Sequence, residues 1–313
     1  MTQPGSTFAT NDMVGIREDL VDVIYDVSPI ETPFLSMASK VTATNTNHEW
    51  QVDALVAASS ANAVVEGDDA TTDAGTATTR RGNYTQISDK VARVTGTARA
   101  VKTAGRADEF DYQLLKRGRE LKRDIETILL SNKAKVAGSD TVAREMAGVV
   151  SWIFTNVDKV GANPAGDGSN AATDGTQRVF TEDQLKSVAK LAWDNGGEPD
   201  TLLTGSFNRQ IASSFGAGTK VQKVEDSTLH TSFDVYESDF GSLKLIPDRF
   251  CVARDVYILD MEYWKVAYLP GRNMLTTPLA KTGDTDRTQI LCEYTLEACN
   301  EKSSGIVRDL TTS

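Results

Sequence analysis

The first hydrophobic pattern along the chain has helical spacing and lies close to the N-terminus. Ile16, Leu20 and Ile24 recur on one side, while mainly acidic residues occupy the other. Pro29 and Pro33 end the predicted helix. A single apolar stripe on a terminal arm needs a surface to cover it, and the sequence leaves open whether its own domain or a neighbouring subunit supplies that surface.

From Asn45 to Arg99 the pattern changes to short alternating stretches among Thr, Ala, Val, Asn and Gly, which predicts a long β-hairpin. Its tip is expected between Glu66 and Gly82, a segment with too few large apolar groups to fold on itself. A hairpin of this length is poorly stable alone, so something else must cover it. Trp50, Arg80 and Arg81 are the candidate contacts, and a disordered insertion is the alternative.

The strongest helical pattern, residues 108–135, predicts a helix about 40 Å long at 1.5 Å per residue. Gly118 in its middle is a weak helix former, so we expect close approach of another backbone there. The helix also carries a dense basic run within an acidic protein. That run is interpreted either as a solvated face with pairs such as Lys116 to Glu120 and Lys122 to Glu126, or as a contact with an acidic neighbouring subunit. The candidate contacts are Lys116, Arg117, Arg119 and Arg123.

A third helical pattern begins after Thr181, a good N-cap, and stops at Gly196-Gly197. Short strand patterns follow, among them Val256–Leu259 and Trp264–Tyr268. The alternation of helix and strand patterns predicts an α/β insertion within a fold of the α+β class.

The last clear pattern, from Gln289 to Cys299, alternates apolar and polar residues, which is typical of a half-buried antiparallel strand. Ile306 and Val307 are expected to extend the same sheet. The chain is therefore predicted to return to a sheet after its central insertion.

The composition excludes several classes of protein. The net charge of -11 argues against a broad grip on nucleic acid, which needs Lys and Arg to neutralise phosphates, but it does not exclude enclosing nucleic acid. There is no run of eighteen apolar residues and no signal-peptide pattern, so we expect neither membrane insertion nor secretion. Three cysteines without CxxC spacing are expected to be free, mostly buried thiols.

Motifs that carry chemistry are missing from the sequence. It has no GxSxG, GxxxxGK[ST], GxGxxG or HExxH motif, and its two histidines, His48 and His230, lie far apart in the chain. We therefore predict no catalytic residue, no cofactor site and no metal site. A hydrolase with an unrecognised site is kept as an alternative.

Five segments resemble a family of phage major head proteins, and the order of elements resembles the Hong Kong 97-type capsid fold. The segments are GIREDLVDVIYDVSPIETPFLSM, AREMAG, YESDFGSLKLIPDRF, YILDMEYWKVAYL and LAKTGDTDRTQILCEYTLEACNEKSSGIV. The resemblance implies an N-terminal arm at 1–40, an extended loop at 41–102, a peripheral domain at 103–180 with a spine helix, an axial domain at 181–282 and a returning peripheral strand at 283–313.

In that family, subunits form pentamers and hexamers through the axial domain, and the extended loop lies across a neighbour's peripheral domain. The resemblance implies a homo-oligomeric icosahedral head that encloses phage double-stranded DNA without sequence-specific binding. It also implies a virion protein made and assembled in the bacterial host cytoplasm, with a portal as partner. Interfaces of this kind bury more than about 2,000 Å².

Two departures from the family pattern bear on partners. The arm and loop begin too early to leave room for an internal scaffolding segment, so a separate scaffold protein is expected. The body of the loop offers only Lys90 for a covalent crosslink, so noncovalent stabilisation or a decoration (cement) protein is expected. An encapsulin-like compartment enclosing cargo protein shares the fold and stays open, and a receptor-binding or tail protein is a further alternative.

Overall fold

The computed structural model describes residues 31–69, 75–101, 108–215 and 235–313. In these ranges the helices are α1 (Pro33–Met37), α2 (Gly96–Ala100), α3 (Glu109–Leu129), α4 (Val149–Trp152), α5 (Glu182–Asp194) and α6 (Ser206–Ala212). The strands are β1 (Ser39–Thr42), β2 (Asn47–Val52), β3 (Thr79–Tyr84), β4 (Gln86–Thr95), β5 (Val157–Asp158), β6 (Thr201–Thr204), β7 (Val235–Ser238), β8 (Gly241–Pro247), β9 (Val256–Leu259), β10 (Trp264–Tyr268), β11 (Leu275–Pro278), β12 (Thr285–Ala298) and β13 (Gly305–Val307). The predicted α+β class is confirmed.

Strand β12 is the centre of a five-stranded sheet. One edge pairs antiparallel with β4, while the other pairs with β10 and β11, and β1 adds parallel to β10. Alternate side chains of a strand point to one face. The apolar face predicted for this strand is buried, and it consists of Ile290, Cys292, Tyr294, Leu296 and Ala298.

The antiparallel pairing predicted for β12 is confirmed, but its opposite face is covered in part, so more than half of the strand is buried. Glu293 is buried, and its carboxylate accepts hydrogen bonds from Arg144 at 2.8 Å, Arg272 at 2.5 Å and the Thr85 hydroxyl at 2.9 Å. Thr295 on the same face is buried as well. Polar alternation alone does not show that charged partners from other segments cover a polar face.

A second sheet has six strands in the order β5-β13-β9-β6-β8-β7. Ile306 and Val307 belong to this sheet, pairing with β5 and β9, so the expectation that they extend the sheet of β12 was wrong. The turn of residues 299–304 separates β12 from β13 and carries the chain from one sheet to the other.

Helix α5 matches its sequence prediction closely. Thr181 is its N-cap in a capping box with Gln184, and the buried side is Leu185, Val188, Ala189 and Ala192. This side packs into a core shared with the six-stranded sheet. The helix was predictable because its cap and its apolar spacing are both local signals.

Helix α3, the predicted spine helix, begins with Asp108 as N-cap, whose side chain accepts from the Phe110 N–H at 2.7 Å. It ends at Leu129 rather than Lys135. The Asn132 side chain accepts from the Ala172 N–H and donates to the Ala172 C=O, each at 2.8 Å. These bonds attach the chain beyond the helix to a different segment. Leu121, with Leu129, lies fully buried against the five-stranded sheet in the larger core.

Gly118 does not mark a close backbone approach, so that expectation was wrong. The nearest atom to a β-carbon placed on it is Cδ1 of Ile290, at 3.8 Å, which is an ordinary van der Waals distance. The structure gives no steric reason for glycine at this position of α3.

Strand pairing crosses the expected domain boundaries. Strands β10 and β11, in the segment expected to be axial, pair with β12 in the segment expected to be peripheral. Strand β13, at the end of the chain, pairs with strands of the expected axial segment through β9. The domain division stays a prediction.

Candidate inter-subunit surfaces

The base of the hairpin formed by β2 and β3 is fixed to the body of its own chain. Asn83 is fully buried, and its amide donates to the carbonyl oxygens of Ala147 at 3.2 Å and Leu296 at 2.9 Å. Its own oxygen accepts from the Ala147 N–H at 2.9 Å. Because buried amides are costly to leave unpaired, these bonds set the position of the hairpin base.

Side chains of β2 add to this attachment. The His48 ring lies 2.8 Å from the Glu297 carboxylate, and this hydrogen bond lowers the pKa of Glu297. Trp50 packs on Trp152 with ring centroids 5.2 Å apart. The candidate contact Trp50 is therefore partly covered by its own subunit.

Lys135 fixes the partner strand. Its ammonium donates to the Gly82 carbonyl at 2.7 Å and to the Asp167 carbonyl at 2.8 Å, and it lies 5.6 Å from the Trp152 ring centroid. Burial lowers the pKa of Lys135. Lys135 was predicted to end the spine helix, and its role here was not visible in the sequence because both partners lie far away in the chain.

The tip of the hairpin has no such cover among the residues that the structure describes. Strand β3 already includes residues 79–82, so the described parts of the tip are 53–69 and 75–78, and the tip begins earlier than expected from the sequence. Four large apolar side chains in it are almost entirely exposed, namely Leu55 (100%), Val56 (81%), Val64 (82%) and Val65 (76%). Glu66, Asp68 and Asp69 follow them directly and are exposed. The tip thus combines an apolar part with an acidic part.

The two arginines predicted as contacts lie at the start of β3, not in the tip. Arg80 is exposed and pairs with Glu49 at 3.1 Å. Arg81 is half-buried and, together with Trp152 and Lys302, lines a cavity of about 260 Å³ between the hairpin base and the body. Their role in contacts between subunits stays a prediction.

The basic run of α3 divides into two groups. Arg117 pairs with Glu120 at 2.5 Å, and the Arg123 guanidinium lies 5.5 Å from the Phe250 ring centroid. Lys116, Arg119 and Lys122 are exposed and form no ion pair within the described ranges. Leu115 beside them is 68% exposed.

The pairs that the sequence suggested for a solvated face are not formed. Arg117, not Lys116, bonds Glu120. Glu126 is fully buried, and its carboxylate accepts the N–H groups of Phe34 and Leu35. The exposed Lys122 does not reach it. The exposed cations of α3 therefore have no acidic partner in the part of the chain that the structure describes.

Ile16, Leu20 and Ile24 of the predicted arm lie outside the described residues, as does His230. All three cysteines are free, with Cys292 buried and Cys251 and Cys299 half-buried.

Ionisable groups elsewhere form ion pairs within the fold. Asp174 pairs with Arg254 at 2.9 Å and Arg308 at 3.3 Å. Burial raises the pKa of Asp255, beside Arg308, to about 7. Within the described ranges, no group of three or more His, Cys, Asp or Glu side chains is arranged to hold a metal ion. No helix there is long and apolar enough to cross a bilayer.

Comparison with known proteins gives consistent matches. A family model described as SU10 major capsid protein matches residues 2–311. The major capsid protein of Escherichia phage Phieco32 is 28% identical, with 96% of each chain covered.

Solved structures share the fold at low identity. The capsid asymmetric unit of cyanophage A-1(L) matches with a TM-score of 0.63 at 13% identity, covering 97% of this chain and 99% of that one. The holo-SrpI encapsulin complex from Synechococcus elongatus PCC 7942 matches with a TM-score of 0.54 at 11% identity, covering 93% and 94%. The fold is therefore that of phage capsid proteins, as the resemblance to the Hong Kong 97-type fold implied.

Proposed function

The chain belongs to the SU10 major capsid protein family, and from this premise we propose that its copies assemble as the pentamers and hexamers of an icosahedral head around double-stranded DNA. It is a major capsid protein of a tailed bacteriophage and a component of the virion. The proposal concerns which surfaces join the copies and what else takes part in assembly.

The exposed hairpin tip is the observation that supports this proposal most. Leu55, Val56, Val64 and Val65 leave most of their surface in water in one copy. Burying such a side chain is worth about 1.5–3 kcal/mol, so a partner that covers the tip gains several such contributions. The body of the same chain already covers the hairpin base. We therefore infer that another copy covers the tip.

The outer side of α3 is the surface of a neighbour that fits the tip. It offers exposed Leu115 to the apolar part of the tip, and exposed Lys116, Arg119 and Lys122 to the acidic part. Opposite charges across an interface steer association and set its register. We therefore propose that the basic residues predicted from the sequence pair with the acids at 66–69.

Charge reversal tests this pairing. Reversing the tip (Glu66→Lys, Asp68→Lys, Asp69→Lys) or the helix (Lys116→Glu, Arg119→Glu, Lys122→Glu) is expected to reduce shell yield, because like charges then face each other. Combining all six changes is expected to restore it. Yield is measured by sedimentation and negative-stain imaging of the full chain, expressed alone and with a candidate scaffold.

Folding is the control for these variants, because exposed substitutions normally change stability by less than about 0.5 kcal/mol. Thermal melting should therefore be nearly unchanged. Normal assembly of either triple variant, or failure of the sixfold variant to recover, contradicts the pairing.

We propose further partners on weaker support. A separate scaffold, a portal and a decoration protein take part, and assembly occurs in the host cytoplasm. Lys90, the lysine in the body of the loop, pairs with Asp124 at 2.6 Å, which favours noncovalent stabilisation of the shell. The net charge of -11 favours enclosing DNA without gripping it.

We also propose that the protein has no catalytic role. The described histidine, His48, bonds Glu297 and contacts Trp50, which is a structural environment. The encapsulin-like alternative shares the fold, but the family match favours a phage head. Nucleic acid inside purified mature shells supports the proposal, whereas a protein cargo supports the alternative.

A further inference from the structure

The buried carboxylate of Glu126 caps a helix that belongs to a distant part of the chain. Its two oxygens accept the N–H groups of Phe34 at 2.6 Å and Leu35 at 2.8 Å. Both residues lie in the first turn of α1, where Thr32 provides no side-chain cap and Pro33 has no N–H to donate. The spine helix thus holds α1, a segment about 90 residues earlier in the chain.

A second buried carboxyl group, that of Asp248, lies beside Glu126, close enough for one carboxyl group to donate to the other when it carries a proton. Asp248 is 2% exposed and follows β8; one oxygen accepts from the Phe250 N–H at 2.8 Å. Its other oxygen is buried and has no hydrogen-bond partner within the described residues. An unpartnered buried carboxyl oxygen is costly if charged, but as an O–H it can donate to a neighbouring carboxylate.

Among the residues that the structure describes, no cation pairs with either of the two carboxyl groups. The other ionisable groups that face the pair are the Cys251 thiol and the Tyr268 hydroxyl, both of which are neutral at pH 7 because burial raises their pKa values. Among the described residues, neither carboxylate forms an ion pair; the guanidinium of Arg123 stacks instead on Phe250.

Titration behaviour agrees with this geometry. Burial, followed by the charge of Asp248, raises the pKa of Glu126 to about 8. Burial also raises the pKa of Asp248. Two adjacent buried carboxyl groups lose their protons in two steps, the second one strongly delayed.

We propose that Glu126 and Asp248 share one proton, and that this proton locks α1 and the turn after β8 onto the spine helix. The pair is a pH-sensitive clamp that joins three segments distant in sequence. When the proton is lost, two like charges repel each other in a buried site. The segment that this repulsion releases most easily is α1, because its first turn depends on two hydrogen bonds to Glu126. This device goes beyond the surfaces proposed for assembly and does not depend on them.

The sign of the pH effect follows from proton linkage. The closed clamp keeps a proton up to about pH 8, whereas open, solvated carboxyl groups lose theirs near pH 4. The closed state therefore weakens as the pH rises through this window, by up to about tenfold per pH unit for one proton. Above about pH 8 the closed clamp has also lost its proton, so the balance between closed and open states no longer changes with pH.

Hydrogen exchange of the full chain tests the clamp. The exchange rate of the peptide covering residues 31–38 is measured between pH 5 and pH 8 and corrected for the intrinsic rate. In the wild type, protection should fall by about tenfold per pH unit. In Asp248→Asn this slope should be clearly shallower, because the charge of Asp248 is gone and a neutral amide donates to Glu126, whereas the burial of Glu126 remains. Asp89→Asn, the same change at an exposed strand position, should keep the slope.

Glu126→Gln gives an independent measurement, because its amide nitrogen cannot accept the second N–H of α1. Protection of residues 31–38 should then be lost at every pH. A flat wild-type profile, a slope in Asp248→Asn as steep as in the wild type, or full protection in Glu126→Gln would overturn the proposal. Asp255, which also titrates near pH 7, is unchanged in all these variants and cannot imitate the result.

Discussion

The base and the tip of the hairpin formed by β2 and β3 belong to one element but differ in what covers them. At the base, Asn83 makes three hydrogen bonds to backbone groups of distant segments, and Lys135 binds a strand carbonyl. At the tip, Leu55 is fully exposed and Val64 nearly so. Among the described residues, the base is covered by its own chain, whereas the apolar side chains of the tip are exposed.

This difference is what the proposed assembly requires of a subunit. Directional bonds at the base aim the hairpin, and in that proposal the exposed apolar groups of the tip are buried against another copy. A rigid base also lowers the entropy lost when the tip binds. Changes at the two ends should therefore affect different properties.

Polar replacement of the tip is expected to have the largest effect. Changing Leu55, Val56, Val64 and Val65 to Ser removes several contributions of about 1.5–3 kcal/mol each from the contact between copies, so shells should not form. The monomer should fold and melt as before. Sedimentation and negative-stain imaging measure assembly, with Val179→Ser, another exposed valine, as control. Normal shells from the fourfold variant would contradict this account of the tip.

Removing the bonds at the base should instead act on folding. Asn83→Ala leaves buried backbone groups of Ala147 and Leu296 without partners, which is expected to lower the free energy of unfolding by about 3 kcal/mol. Urea denaturation of the unassembled chain measures this. Asn47→Ala, which removes an exposed bond to Glu49 in the same hairpin, should cost less than about 0.5 kcal/mol. Equal costs for the two variants would show that the base is not fixed as described.

The smallest expected effect concerns α3, the helix proposed to contact the tip. Gly118→Ala should raise the free energy of unfolding by up to about 1 kcal/mol, because alanine favours the helix and its β-carbon meets Ile290 at an ordinary distance. Assembly should not change. Denaturation curves measure the gain, and a loss of stability would mean that another backbone or side chain is closer to Gly118 than described.

Elements with local signals were predictable from the sequence. Strands β9 and β10 have the predicted bounds, and α5 has its predicted cap and buried side. What failed depends on partners distant in the chain. Glu126 was predicted as a surface residue, but its hydrogen-bond partners lie 91 and 92 residues earlier.

The same limit applies to the candidate surfaces. The sequence singled out the basic run of α3 but could not separate exposed Lys116 from paired Arg117. It identified Trp50 but not Trp152, against which Trp50 packs. Asn83 and Lys135 carry no motif, so their attachment of the hairpin base was visible only once the segments were brought together.

Labelling of a single tip cysteine tests most directly whether another copy covers the tip. In Val64→Cys, the rate of maleimide modification is measured by mass spectrometry of the peptide that contains residue 64, before and after shell formation. We expect rapid labelling of the unassembled chain and labelling at least about tenfold slower in shells, since residue 64 changes from mostly exposed to buried. Equal rates in the two states would contradict the account.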